Sequence, residues 1–541
     1  MIFSLVILLV FLVCVQSSGF SVREKVHHRD TNAVDLGYEV LFTTYETNIA
    51  ETCFKLNSNT LPIDDGTFII PSVAKFEQGA NNFTSVLDGF GKMHKFAFKS
   101  GTDMNSPSTM CFTSKMIGSG FYNQSEQTDT IAPSVLFMNT QPKLAYKPFQ
   151  IMNGPNDNVY VNTARVGNNF LSLTDSQYVL KFNEADLSVQ GLVKFADNLD
   201  TAKLSTGSAH VLKSKDGECI IDIDPQCNMD GSEMKVLLYE LCPDPTNEGK
   251  LTRKVLNSYD TSYLPYMHSF GLTANYAVLP HQGFYFNYTT VLKNGAPLVD
   301  TMVDISENEN GFTPLIVKLL PVSGGEVLTF TIDSGSPFYY FHFANSFETV
   351  DVDSGSAAVV MDISVLSFNM LPYFTLEMER NKAERDSVAL GKIMVRRYTM
   401  YIDGPKQGQW DVQDLSNPNR SVDFPNFNRN YQSKPSCVIY ALEWFHDEST
   451  YANMAVLKKN ACSGDVLYWH QDNFFPSEPT FVASKNNVNN DEDAGVLLFT
   501  AVDGATQQSY LMMVDAKTMQ TLEQVKIPGI ITFTTHGQWY N

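Results

Sequence analysis

Two stretches far apart in the chain, YVLKFNEADLSVQGLVKF (Tyr178–Phe195) and YLMMVDAKTMQTLEQVKI (Tyr510–Ile527), align over 18 residues without a gap. Each has an apolar strand, a polar turn opened by Asn183 or Asp515, and a second strand that ends in Lys and an apolar residue. Alternating runs on either side of an Asx-type turn describe a β-hairpin. One hairpin type recurring at such a separation predicts a radially repeated sheet, a β-propeller, whose blades bury their faces only against one another.

The rest of the chain reads the same way. Runs such as GYEVLFTTYET, KVLLYELC, NYAVLP and AAVVMDISVL are separated by Gly, Pro, Asn and Asp, which punctuate strands. Hydrophobic residues make up 43% of the 541 residues and aromatics 12%, a globular composition. Only NKAERDSVALGKIM (381–394) has helical character, and no low-complexity linker follows residue 30. The expectation is an all-β chain forming one domain over residues 30–541.

The formal charge of −21 argues against a nucleic-acid partner, whose phosphates would be repelled. An apolar run from Ile2 to Val15, followed by small residues, has the length of a signal-peptide core rather than of a membrane span. Residues 1–18 are therefore expected to be a cleaved signal peptide that sends the protein to the secretory pathway, secreted or in the ER lumen. Sequons at Asn82, Asn123, Asn287 and Asn419 fit that address. Without Cys14, seven of the eight cysteines remain, so at least one has no intramolecular disulfide partner. Cys219 and Cys227 are the nearest pair and candidates for a disulfide.

Of ten histidines, His27, His28 and His446 lie among polar neighbours and are expected in solvent. His94, His281 and His470 are candidates for core or edge positions. The remaining four, His210, His268, His342 and His536, each sit at or near the end of an apolar strand. No HExxH or HxH spacing joins them, so local zinc-site rules do not apply.

Taken together, the segments around these four resemble the carotenoid cleavage oxygenases. The carrying motifs are GSAHVLKSKDGE, SYLPYMHSFGLTANYAVL, FHFANSFE and IPGIITFTTHGQWY, with LDGFGKMHKFAFKSG, DFPNFNRNY and FPSEPTFV in the same order as in that family. Val211 stands where the family usually has Pro, and the Pro-Asp-Pro-Cys-Lys motif of vertebrate members is missing. The resemblance implies a seven-bladed propeller with loop and helical insertions forming a dome over an axial Fe2+. It implies His210, His268, His342 and His536 as ligands, a donor set suited to ferrous iron. It places Asp175, Asp423 and Glu478 behind the ligands as hydrogen-bond acceptors, the first two where the family has Glu. Thr174, Phe270 and Phe341 become candidates for the cavity wall, and Met116–Tyr122 for an apolar lip at a peripheral membrane contact.

The reaction implied is oxidative cleavage of a conjugated C=C bond of a lipophilic polyene by O2. Two alternatives stay open: a retinyl ester isomerohydrolase on the same scaffold, and a secreted propeller that only binds a carotenoid or retinoid.

Overall fold

The computed structural model describes residues 35–541 apart from 59, 103–106, 198, 200–202, 248, 334, 388–391 and 488–489. The proposed signal peptide, Cys14, His27 and His28 lie outside the described residues.

Seven antiparallel sheets of four or five strands follow one another along the chain, with strands spanning residues 49–116, 162–192, 203–260, 271–332, 339–414, 421–469 and 474–527. They form the blades of a β-propeller, here blades 1 to 7. The last strand, Gln538–Tyr540, returns to pair antiparallel with Thr67–Ile69 of blade 1, so the end of the chain closes the ring.

The aligned stretches are the outer hairpins of blades 2 and 7, Leu180–Phe182 with Val189–Leu192 and Gln508–Asp515 with Thr521–Ile527. Their turns are built alike. Asn183 Oδ1 accepts from the Ala185 N–H, and Asp515 Oδ1 from those of Lys517 and Thr518. The fifth residue, Leu187 or Met519, is left-handed at φ 59° or 60°, and its N–H donates to the carbonyl of Asn183 or Asp515 at 2.8 Å. Both side chains are buried in the core, which offsets a backbone conformation that bulky residues seldom adopt.

Among the described residues, helices occur only in insertions. Gly120–Thr128 is capped by Ser119, while Asp157 accepts the Gly120 and Phe121 N–H groups. Short helices also span Pro148–Met152, Tyr288–Asn294, Leu376–Arg380 and Lys382–Ser387. Of the expected helix at 381–394, Lys382–Ser387 is helical. From Ile393 the chain enters a strand paired with Ala358–Leu366, because IMVRRYTMY sets Ile393, Val395 and Tyr398 into the core.

Three disulfides join neighbouring strands within single blades: Cys53–Cys111, Cys219–Cys242 and Cys437–Cys462. The Cys219–Cys227 pairing is therefore wrong. Register sets Ile220 opposite Leu241, which brings Cys219 beside Cys242 with Cα atoms 4.6 Å apart. Cys227 lies eight residues along the same side of the sheet, about 26 Å away at strand spacing. It is buried and belongs to none of these three disulfides.

Two further expectations fail. His446 is buried, not solvated: left-handed residues Phe445 and Asp447 turn it inward to Glu443, 2.7 Å from its Nδ1. Met116–Tyr122 forms no exposed lip, since Met116, Ile117 and Phe121 are core residues. Of the sequons, Asn82, Asn123 and Asn419 are exposed, whereas Asn287 is half-buried and caps a helix through Thr290.

Deleting residues 538–541 removes the closing strand and two aromatics. The expected loss is about 3–5 kcal/mol, the scale of one lost buried aromatic, read as a lower denaturant midpoint.

Candidate metal centre and cavity

Four imidazoles meet where the inner edges of the blades converge. His342 lies within the strand Tyr339–Val350, whose register shifts on both sides of Phe343. Such irregularities bend a strand and re-aim its side chains. His210, His268 and His536 instead occupy irregular segments just ahead of the short strands Leu212–Lys213, Gly271–Leu272 and Gln538–Tyr540. The His268 Nε2 is 3.0 Å from that of His210 and 3.1 Å from that of His342. One ring nitrogen from each of the four lies within 4.8 Å of the others.

Three of the rings are anchored from behind. His268 Nδ1 donates to Asp175 Oδ2 at 2.6 Å, His342 Nδ1 to Asp423 Oδ1 at 2.8 Å, and His536 Nδ1 to Glu478 Oε2 at 2.9 Å. An ionised carboxylate can only accept, so these contacts put the proton on Nδ1 and leave Nε2 as a lone-pair donor. Burial alone would raise the Asp175 carboxyl. The His268 ring, the Tyr266 hydroxyl at 2.8 Å and the Ala209 N–H outweigh it and hold Asp175 below its ordinary value. Asp423 is held low in the same way, burial being outweighed by His342 with help from the Phe424 N–H and Ser364. Burial pushes His210 well below the usual histidine range, with the other three rings acting in the same direction. It also lowers His342, against the pull of Asp423.

Sequence reasoning missed two neighbours of the cluster. Tyr266 supports Asp175 through its hydroxyl. Phe424 follows Asp423 with φ 52° inside the strand Ser421–Asn426, and its ring sits 4.6 Å from that of His342 and 5.4 Å from that of His536. A left-handed phenylalanine is costly and persists where its surroundings enforce it. The only signal was adjacency to Asp423 in DFPNF.

A cavity of about 500 Å³ opens onto His268, His342 and His536, within the roughly 300–1,000 Å³ typical of small-molecule sites. The helical insertions wall it with Phe121, Tyr288, Val291 and Leu371. Thr174 and Phe341 line it, Phe341 lying edge-on to His268 at 5.7 Å. Phe270 does not. It packs between blades with Met267, Leu272 and Leu279, since the chain from His268 to Phe270 is irregular and does not keep strand alternation.

Fold and site together define a β-propeller protein with an axial four-histidine centre beneath an apolar chamber. The family model described as retinal pigment epithelial membrane protein (RPE65) matches residues 61–541, and the chain belongs to that family, the RPE65/carotenoid cleavage oxygenases. A mitochondrial carotenoid-cleaving dioxygenase of Homo sapiens is 21% identical over 529 residues, covering 87% of this chain and 85% of that protein. Carotenoid cleavage dioxygenase 8 homolog A of Oryza sativa subsp. japonica is 25% identical over 301 residues, 54% of this chain and about half (51%) of the rice protein. Among solved structures, a point variant of Synechocystis apocarotenoid oxygenase superposes with TM-score 0.74 at 19% identity, covering 93% of this chain and 98% of that one. The cobalt-substituted form gives 0.73 at 18%, covering 92% and 97%. These likenesses show the fold.

Asp423→Ala frees the His342 ring. Divalent-metal affinity is expected to fall about 10- to 100-fold, measured by equilibrium titration, while Asp423→Glu retains most of it.

Proposed function

We propose that the protein is a non-haem Fe(II)-dependent dioxygenase that cleaves a conjugated C=C bond of a carotenoid or apocarotenoid to aldehyde or ketone products. The observation that carries this reading is a cluster of four imidazoles facing an apolar, aromatic cavity.

The residues fit a divalent cation. Converging Nε2 lone pairs, three fixed by Nδ1–carboxylate contacts, repel one another unless a cation lies between them. Imidazole suits ferrous iron, and four neutral ligands leave it its full charge. Bound there, iron would supply activation of O2.

The chain's own residues do the rest. Asp175, Asp423 and Glu478 hold three rings in one tautomer and orientation. Phe341, Phe374 and Phe424 offer flat faces to a polyene and exclude water from the chamber. Holding the double bond in place beside the histidines is the main task of this cavity. No general base is needed, and the carboxylates nearest the cluster are already engaged with its imidazoles. Asp175 and Asp423, one methylene shorter than Glu, still reach their histidines at hydrogen-bond distance.

Purified protein is expected to carry about one iron per chain, and His268→Ala to abolish both iron and turnover. Incubation under oxygen with β-carotene, shorter apocarotenoids and retinyl esters, followed by product analysis, is expected to yield aldehydes or ketones from a polyene. Isomerised retinol from the ester would assign the isomerohydrolase reaction instead. Iron-free protein with a carotenoid still bound would sink both.

We also propose a secretory address. Three intrablade disulfides support it, since such bonds persist in oxidising compartments, and so do the exposed sequons. Expression in cells of the secretory route is expected to give glycosidase-sensitive protein lacking residues 1–18. Unprocessed, unglycosylated protein with six free thiols at those positions would overturn this.

A further inference from the structure

One wall of the apolar cavity is polar for no reason that the histidine centre supplies. Glu379, on the short helix Leu376–Arg380, lines the cavity together with Tyr38 and Tyr451. Glu379 is only 3% exposed. The Tyr38 hydroxyl donates to Glu379 Oε2 at 3.0 Å. Oε2 is the oxygen so engaged, and Oε1 takes no hydrogen bond from any described residue. Burial pushes the Glu379 carboxyl up to about 7, with the Tyr38 hydroxyl and the Arg385 charge opposing.

Glu379 is not needed to fix this part of the chain. Arg380 already ties the helix to the turn Tyr38–Phe42 through two hydrogen bonds to the Phe42 carbonyl, at 2.9 and 2.7 Å. Arg385 donates to the Glu379 carbonyl at 2.6 Å and lies 4.7 Å over the Tyr38 ring. A leucine at position 379 would satisfy the same packing without placing a carboxyl in an apolar chamber. Burying that carboxyl costs free energy unless something hydrogen-bonds to it.

We propose that Glu379, held by Tyr38, is the recognition site for a hydroxyl on the end group of the polyene, so that the substrates are hydroxylated carotenoids or apocarotenoids. The substrate hydroxyl donates to Glu379 Oε1, with Tyr451 lining the cavity beside Tyr38 and Glu379. Glu379 lines the same cavity as His268, His342 and His536, so fixing the hydroxylated end group sets which double bond reaches the histidines. This inference rests on the polyene reading above. A site built to bond a hydroxyl discriminates strongly against the analogue that lacks it, because its own polar group is then left unpaired.

The test compares an apocarotenal with its ring-hydroxylated analogue of equal length, on iron-loaded full-length protein. Wild type is expected to favour the hydroxylated substrate by about 10-fold or more in kcat/KM. Glu379→Leu is expected to collapse that ratio to about 2-fold or less, and Tyr38→Phe to reduce it in part. Glu379→Gln, which keeps the volume and a polar pair, is expected to retain much of it, and thermal melts verify that each variant is folded. An unaltered ratio in folded Glu379→Leu, or no preference in wild type, overturns the proposal. If wild type converts neither compound, the dioxygenase reading has failed. Quenching of Trp444, which lines the same cavity, then tests recognition alone through the relative Kd of the two compounds. Equal Kd values would overturn the proposal on that arm too.

Discussion

Hydrogen bonds around the inner rim carry the blades into one another, and the centre depends on that circuit being complete. Asn162 of blade 2 donates to the Ala209 carbonyl, Ser208 of blade 3 to the His268 carbonyl, and Ser269 of blade 4 to the Phe341 carbonyl. His342 of blade 5 donates to Asp423 of blade 6, Asn426 of blade 6 to Glu478 of blade 7, and His536 back to Glu478 and to the Val161 carbonyl. Several of these groups are also the histidines or their supports. The bonds that keep the propeller closed are thus the bonds that aim the imidazoles, and rigidity of the centre comes from the ring rather than from any one blade.

How much of this can be read without coordinates follows from how far each feature reaches along the chain. A hairpin turn is local, so the twin stretches in blades 2 and 7 reveal the repeat directly. The histidine cluster is the reverse case. His210, His268, His342 and His536 share no spacing because each comes from a different part of the ring, and only the ordered resemblance of their segments joined them. Phe270 was misplaced because nearness to His268 in sequence does not fix which way a ring points where the backbone is irregular. The Cys219–Cys242 bond needed the register of two strands, which nearness in sequence does not supply. His446 was hidden by its polar neighbours, since its burial depends on two left-handed residues that no propensity marks.

The two aspartates show how a shorter side chain can keep a long-range contact. Asp423 lies where the pairing of Ser421–Asn426 with its neighbour shifts, just before the left-handed Phe424. That local distortion moves the carboxylate toward His342 and lays the phenyl ring against the same imidazole. Asp175 has no such bulge. It sits in a bend after the strand Asn169–Leu173 and is steadied by Tyr266 and the Ala209 N–H. The same hydrogen bond is thus reached by two different backbone solutions.

The cavity wall draws on both extremes of the described chain: Tyr38 and Phe42 near its start, Phe533, Thr535 and His536 near its end. During synthesis the segment with His536 leaves the ribosome after the other three histidines. A nascent chain can therefore present at most three of the four imidazoles, in a chamber still missing one side. The four-histidine cluster and the wall beside it are completed together, once that segment has emerged.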